Sequence, residues 1–428
     1  MIRTVRSGAK VVMPYVGPYT QLRTPLLATP AFRPLKSQRG VILLISMLIL
    51  LSGSAFFLAG EYRDNPYNDD SALEALLAAK QALLSYAVNY ADNYGHNTRG
   101  GTGRLPCPAR ARFSSPASSC GVNEIGYLPS AWLRSGELME IDYLERFLDR
   151  DIWYAVAADH RYNPSHNTLN SNTRSNLLSV DGVPDIVAVL IYPGSAMAGQ
   201  NRFAVQGMPP ASTVFEYLEG ENADADGIFT LTEKGDLLVP IRRAELMPLI
   251  ERRVLGFAKQ WLIEYKAQHG YYPYASSTSG HSDCSSGVLN GFLSTDAGSC
   301  AEMPLADMRF TDLPANRTLR NTWFYRYDWP QLIYYLVDES CAPVRGIADC
   351  DGVDDPVRAL SVDGVPAEVI LISVGEPIET VPVGGLQQRL IGGGIASYLD
   401  TEALLSAVTA FEIPELTSHS NDQLVFID

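Results

Sequence analysis

The segment "ENADADGIFTLTE" has the residue types and the spacing of a calcium-binding loop. Its oxygen-bearing side chains and its glycine fall where that pattern requires them, at Asn222, Asp224, Asp226, Gly227 and Glu233. Calcium prefers oxygen ligands, and the glycine permits the sharp turn that such a loop needs. The sequence therefore favours a polar surface loop without a cofactor, and the alternative is a calcium site, the one candidate cofactor, bound by Asn222, Asp224, Asp226 and Glu233.

Residues typical of catalysis do not form a set in the sequence. "GHSDC" at 280–284 matches half of a nucleophile elbow but lacks its last glycine, and "GGG" at 392–394 lacks the lysine of a phosphate loop. The six histidines are scattered, and each is interpreted as a loop or surface residue: His96, His160, His166, His269, His281 and His419. The sequence predicts no catalytic residue and no enzymatic activity.

Charge is distributed unevenly along the chain. The formal charge of −15 divides into +7 before residue 41, where no acidic residue occurs, and −22 after it. Nucleic-acid binding requires local positive potential, which the acidic remainder opposes. The sequence therefore predicts a solvated acidic surface and no nucleic-acid partner.

Residues 41–60 follow the basic segment and contain no charged side chain. At about 1.5 Å per residue, a helix of this length spans roughly the 30 Å hydrocarbon core of a bilayer. By the positive-inside rule, the basic end stays cytoplasmic and the remainder crosses. The pattern predicts a transmembrane helix at 41–60, and the small residues near Gly60 leave a cleaved secretion signal as the alternative.

All cysteines lie beyond the apolar segment, and their number is even. In an oxidising compartment this indicates disulfides, and neighbours are favoured because short loops cost the least entropy to close. The predicted pairs are Cys107 with Cys120, Cys284 with Cys300, and Cys341 with Cys350. No CxxC motif occurs, and no histidine lies at ligand spacing beside a cysteine, so a zinc site is not predicted.

The chain repeats itself after the apolar segment. "LSVDGVP" occurs at 178–184 and again at 360–366, and "AKQALLSY" at 79–86 corresponds to "AKQWLIEY" at 258–265. The closing strands also correspond, "GDLLVPI" ending at Ile241 and "NDQLVFI" ending at Ile427. Because the order is the same in both copies, duplication of a folded unit explains the identity. We call residues 71–241 the first repeat and residues 242–428 the second repeat.

Each repeat begins with an amphipathic helix and continues with short strands. Ser71 and Glu74 have the spacing of a capping box, and a helical apolar stripe runs on to Val88. The second helix has the same stripe, with Gly270 as its stop. Strand-like runs follow, and the "DGVP" before one strand of each repeat is good turn chemistry. Helix first and antiparallel meander second predicts an α+β fold.

These features, in this order, resemble the type IV pilin and type II secretion pseudopilin superfamily. The resemblance rests on the basic leader, the glycine before about 20 apolar residues, the helix, and "GRLPCP", "GYLP", "DIWYAVA", "VDGVPDIV", "YLEGENAD" and the closing D-x-L-x-x-I strand. It covers most of residues 36–428. It implies a leader at 1–40, a transmembrane helix at 41–60, a hinge or stalk at 61–70, and two tandem pilin-like heads at 71–241 and 242–428. Each head would be a long helix packed on an antiparallel β meander.

The resemblance also implies how the chain is processed. A prepilin peptidase would cut between Gly40 and Val41 and methylate the new amino terminus. The family usually has glutamate at the fifth mature position, where this chain has Ile45, which implies a minor subunit of a type IV pilus or a type II secretion pseudopilus.

The expected partners are the inner membrane, the prepilin peptidase and other pilin or pseudopilin subunits. The expected localisation is a single pass through the inner membrane, with a cytoplasmic N-terminus and with heads in the periplasm or, in a filament, outside the cell. The expected function is non-enzymatic: two displayed heads serve assembly or adhesion. The alternative is a permanently membrane-anchored periplasmic binding module that is neither processed nor polymerised.

Overall fold

A computed structural model of the chain describes residues 70–94, 101–112, 114–129, 152–161, 169–202, 210–232, 235–276, 287–293, 304–313, 317–343, 350, 359–377, 399, 410–411, 413 and 422–428. They belong to one compact unit, Asp64–Asp428. The predicted leader (1–40), the predicted transmembrane helix (41–60) and the hinge up to residue 69 lie outside the described residues. The predicted cleavage point between Gly40 and Val41 lies outside them too.

The described residues form four α-helices and thirteen strands. The helices are α1 (Asp70–Tyr94), α2 (Pro210–Tyr217), α3 (Arg243–His269) and α4 (Trp323–Arg326). The strands of the first repeat are β1 (Ile125–Tyr127), β2 (Trp153–Val156), β3 (Leu178–Val180), β4 (Val183–Tyr192), β5 (Ile228–Phe229) and β6 (Leu237–Arg242). Those of the second are β7 (Asn290–Phe292), β8 (Ile333–Val337), β9 (Ser361–Val362), β10 (Val365–Pro366), β11 (Val369–Ser373), β12 (Ala410–Phe411) and β13 (Gln423–Ile427).

The strands of the first repeat form one sheet around the long strand β4. Its order is β1-β2-β4-β3-β5, and β6 also pairs with β4. In the second repeat, a four-stranded sheet has the order β13-β11-β8-β7, and a three-stranded sheet has the order β10-β9-β12. Strand β11 lies antiparallel between β8 and β13, as β4 lies antiparallel to β2 and β6. The two repeats therefore share their central strand pairing.

The predicted antiparallel meander needs a correction in each repeat. Strand β3 pairs with β5 in parallel, and β9 pairs with β12 in parallel. A hairpin cannot join parallel neighbours, so the chain must cross over between them. The crossover in the first repeat includes α2, which packs near the β1 edge of the sheet.

Both faces of the first sheet are covered. Val187 and Leu190 on β4 point into the core that holds α1 and α3, while Val189 and Ile191 point into a second cluster with Tyr217 of α2. This explains why β4 is almost continuously apolar, as strands buried on both faces are. Each large apolar side chain buried in this way stabilises the fold by about 1.5–3 kcal/mol.

Helix α3 connects the two repeats through their cores. It packs against β4 and β6 of the first repeat and against β11 and β13 of its own repeat. Its buried residues include Ile250, Val254 and Trp261, which lie in one core cluster with residues of both repeats. The helix ends at the predicted stop: Gly270 adopts a left-handed conformation, φ 80°, and its N–H donates to the carbonyl of Lys266.

No helix within the described residues is long and apolar enough to cross a membrane. The apolar residues of α1 and α3 face the sheets and each other, so they contribute to a protein core. This finding contradicts the transmembrane helix in the predicted fold and the predicted single-pass localisation in the inner membrane. The α+β part of the prediction agrees with the observed helices and sheets.

Candidate functional site

Buried polar side chains collect between the loop that follows β2 and helix α3. We call this set the junction cluster. Its members are Arg104, Asp159, His160, Asn170, Ser171, Arg243 and Glu251, and each is at least nine-tenths buried. Burying a charge costs several kcal/mol unless it is paired and hydrogen-bonded. The partners of each member therefore decide what the cluster can do.

Arg243, the first residue of α3, binds the loop of the first repeat. Its Nε donates to the carbonyl of Thr173 at 2.8 Å, and one Nη donates to the carbonyl of Ser171 at 2.5 Å. It also forms an ion pair with Glu376 of the second repeat. The same carboxylate forms an ion pair with Arg174, with a nitrogen-to-oxygen distance of 3.4 Å. Burial lowers the pKa of Arg243, and the carboxylate of Glu376 offsets part of this effect. Arg243 thus connects the first-repeat loop with the second repeat.

Two further hydrogen bonds join the repeats at the same place. Ser171 Oγ donates to the buried carboxylate of Glu251 on α3 at 2.6 Å. Within the second repeat, Gln423 of β13 holds the same carboxylate with a hydrogen bond of 3.2 Å. The Asn170 amide donates to the carbonyl of Tyr327 at 2.7 Å. Hydrogen bonds to charged groups contribute about 1.5–3 kcal/mol each. These contacts fix the geometry of the junction.

His160 is completely buried in the junction cluster. Within the described part of the chain, neither of its ring nitrogens has a hydrogen-bond partner. Burial, together with the charges of Arg243 and Arg104, lowers the pKa of His160 to about 3. The ring is therefore neutral at physiological pH. His160 lies in a loop, as predicted, but it is buried and not at the surface. The aromatic strand "DIWYAVA" shortly before it was the available signal of burial.

A cleft of about 800 Å³ opens beside the junction cluster. Its described lining comes from both repeats: Asp159, Asn170, Asn172, Thr173, Arg174 and Ser175 from the first, and Asp328, Gln331 and Leu332 from the second. The volume is within the range of about 300–1,000 Å³ that is usual for small-molecule sites. Apart from Leu332, every side chain in this described lining is polar.

The two carboxylates of the cleft differ in their surroundings. Asp159 is buried, and its Oδ2 accepts hydrogen bonds from the hydroxyl of Ser175 and from the amide of Asn176. Asp328 is exposed and lies in the left-handed region, φ 57°. Partial burial raises the pKa of Asp328. Left-handed residues other than glycine often mark functional positions, and aspartate tolerates this conformation better than most.

The described lining of the cleft is suited to binding. It offers amides, hydroxyls, carboxylates and one guanidinium, but it contains no histidine or cysteine. Ser175 donates to Asp159, so no imidazole activates this hydroxyl in the way a catalytic triad would. What the described residues bring together is a set of hydrogen-bonding groups.

The predicted calcium residues are only partly described. Asn222 is buried, its Oδ1 accepts from the N–H of Thr230 at 2.8 Å, and its amide donates to the carbonyl of Thr230 at 3.0 Å. Asp224 and Asp226 are exposed and accept from backbone N–H groups two residues further on. Glu233 lies outside the described residues. In the described residues, the Asn222 side chain therefore stabilises the loop through the backbone of Thr230. The calcium site stays a prediction.

Next to this loop lies a buried carboxylate that the sequence analysis did not select. Asp236 Oδ2 accepts from the N–H of Glu219 at 2.9 Å and from the Asn222 amide at 3.1 Å. Burial is the main reason why the pKa of Asp236 rises to about 6. Asp236 opens the closing D-x-L-x-x-I strand, and its counterpart Asp422 is also buried. The recurrence of this aspartate was the signal in the sequence.

Two of the three predicted disulfides are present, Cys107–Cys120 and Cys341–Cys350. The third pair, Cys284 and Cys300, lies outside the described residues. Glu368 lies close to the second disulfide, but both cysteine sulfurs there are bonded to each other. A bonded cysteine does not offer the thiolate that binds a metal, so this group gives no argument for a metal ion.

Comparisons of the chain with protein-family models, with curated proteins and with solved structures found no match.

Proposed function

We propose that the chain is a non-enzymatic structural subunit with two pilin-like heads. It is a minor component of a type IV pilus or of a type II secretion pseudopilus, and its heads serve assembly or adhesion. The resemblance of the sequence to the pilin and pseudopilin superfamily carries the link to filaments. The argument for two heads of one kind is made below from contacts in the described residues.

The observation that carries the argument for two heads of one kind is a tertiary contact that occurs once in each repeat. The lysine of the first "AKQ", Lys80, donates to the carbonyl of Pro240 in the closing strand at 3.0 Å. The lysine of the second, Lys259, donates to the carbonyl of the corresponding Phe426 at 2.6 Å. Each opening helix is thus attached in the same way to the strand that closes its repeat.

The turn in "LSVDGVP" is repeated with the same geometry. Asp181 and Asp363 have φ 51° in both repeats, and the following glycines are also left-handed. The N–H of Asp181 donates to the carbonyl of Phe229, and the N–H of Asp363 donates to that of Phe411. Two units that share strand pairing, turn and helix attachment support tandem heads of one kind.

Helix α3 joins the two heads through a shared apolar core. It contributes to the cores of both repeats, and the junction cluster adds hydrogen bonds between them. Relative motion of domains is expected unless their interface is large and apolar. A pair of heads joined in this way is suited to a subunit that must present two surfaces in a fixed arrangement to its neighbours.

The experiment is the intact mass and the amino-terminal residue of the chain, produced with an active or an inactive prepilin peptidase. We expect a methylated terminus at Val41 only with the active enzyme. Gly40→Val should abolish the cut, while the matched control Gly17→Val in the leader should not change it. If the chain is uncut with the active peptidase as well as with the inactive one, the proposal that it enters a filament is rejected. That result would favour the alternative, an unprocessed binding module.

A further inference from the structure

We propose that the cleft between the loop Leu169–Asn176 and the turn Asp328–Leu332 binds a neutral, hydroxyl-rich ligand, a short saccharide. This goes beyond the proposed function, because it assigns a ligand class to a site in the described residues. It holds whether or not the chain enters a filament.

Two side chains of the second repeat are available to a ligand in the cleft. Asp328 precedes the short helical turn Trp329–Leu332, but its carboxylate does not cap that turn. Within the described residues, neither the Asp328 carboxylate nor the Gln331 side-chain amide hydrogen-bonds to another protein group. Partial burial raises the pKa of Asp328. A ligand hydroxyl in the cleft would donate a hydrogen bond to this carboxylate.

The loop across the cleft is held in place before any ligand arrives. The N–H of Asn172 donates to Asn170 Oδ1 at 2.9 Å, and the N–H of Asn170 donates to the hydroxyl of Thr173 at 3.1 Å. The Asn170 amide ties the loop to Tyr327, next to Asp328. Preorganisation of this kind raises affinity because the ordering cost is already met on folding.

The charges in the cleft favour a neutral ligand over an anion. Arg174 is the single cation among the described lining residues, and it already pairs with Glu376 and donates to the carbonyl of Pro377 at 2.7 Å. Asp159 and Asp328 supply two carboxylates without a second cation in that lining. An anionic ligand would therefore meet net repulsion.

A metal ion also fits poorly. Among the described residues, no three carboxylate, imidazole or thiolate groups in the cleft lie close enough together to share an ion. A sugar hydroxyl, by contrast, both donates and accepts a hydrogen bond. The cleft offers acceptors on Asp328, donors on Arg174, and both on Gln331. Groups of this kind, placed on two facing walls, match the hydroxyls around a saccharide ring.

The test is a calorimetric titration of the full chain with maltotriose, cellotriose and chitotriose, and with sialyllactose as an anionic probe. Asp328→Asn keeps the shape and tolerates the left-handed backbone, and Gln331→Ala removes the amide. The matched control is Asp363→Asn, the same change at a left-handed aspartate that is not among the residues lining the cleft.

We expect at least one neutral trisaccharide to bind, with Asp328→Asn weakening it by about tenfold, as for the loss of a hydrogen bond to a charged group, and Gln331→Ala by about fivefold, as for a neutral hydrogen bond. The Asp363→Asn control should bind like the original chain. The proposal is overturned if no neutral trisaccharide binds at up to about 10 mM, a limit that includes weak millimolar sites. Binding unchanged in both cleft variants, or a preference for sialyllactose, would also overturn it. None of these outcomes bears on the peptidase experiment.

Discussion

Acidification should destabilise the protein through His160, because its buried ring resists protonation. The pKa of His160 is lowered to about 3 in the folded chain, chiefly by burial and further by Arg243 and Arg104. In the unfolded chain the pKa should be close to the ordinary value of about 6.5. Between these values the unfolded state binds the proton and the folded state does not. The contribution of His160 to stability is therefore complete above about pH 6.5 and is lost as the pH falls.

The size of the effect follows from the two pKa values. Each pH unit below the unfolded pKa costs about 1.4 kcal/mol, so at pH 5 the folded state loses about 2 kcal/mol. Asp236 acts in the opposite direction, because its pKa of about 6 lets the folded state take up a proton first. The effect of His160 must therefore be read as a difference between two variants at each pH.

The assay is urea unfolding of the original chain and of His160→Leu at pH 7.5 and pH 5, followed by tryptophan fluorescence. Leucine fills a similar volume and does not titrate. Relative to the original chain, the variant should gain about 2 kcal/mol in unfolding free energy between the two pH values. Equal pH dependence in His160→Leu and the original chain would refute the reasoning.

Two further predictions concern stability at neutral pH. Glu368→Gln should lower the unfolding free energy by about 3 kcal/mol, because the buried carboxylate pairs with Lys266 Nζ at 2.7 Å and its loss leaves a partly buried cation. Chemical denaturation measures this difference, and a loss below about 1 kcal/mol would contradict the importance of the ion pair. Gly291→Ala should be strongly destabilising, because a Cβ there would overlap the carbonyl oxygen of Ser276. The matched change Gly256→Ala, on the exposed side of α3, meets no atom and should stabilise by about 1 kcal/mol. The melting temperature should fall in Gly291→Ala and rise in Gly256→Ala. A shift in the same direction in both variants would contradict this prediction.

The parts of the fold that depend on local sequence were predictable. The apolar stripes gave both long helices, Gly270 ends the second, and the "DGVP" turns lie where the repeat places them. The pairing of Cys107 with Cys120 and of Cys341 with Cys350 also followed from short separations in the sequence. Such signals are contained within a few residues, so a single sequence reveals them.

The parts that depend on distant contacts were not predictable. Nothing local to His160 shows that Arg243, far along the chain, will lie beside it, and the cleft exists only because Asp328 meets a loop of the first repeat. Asn222 matches a calcium-loop position in sequence, but its side chain braces Thr230 and Asp236. The parallel strand pairs likewise join segments that are far apart, and no turn signal marks them.

The central claim is that the two heads are carried in a filament, and sheared surface filaments and purified pseudopili test it most directly. The account predicts tryptic peptides from both repeats in one of these fractions, at low abundance relative to the major subunit, and only in cells with an active prepilin peptidase. A chain that is absent from both fractions, while it is present in the same cells at normal levels, would contradict it.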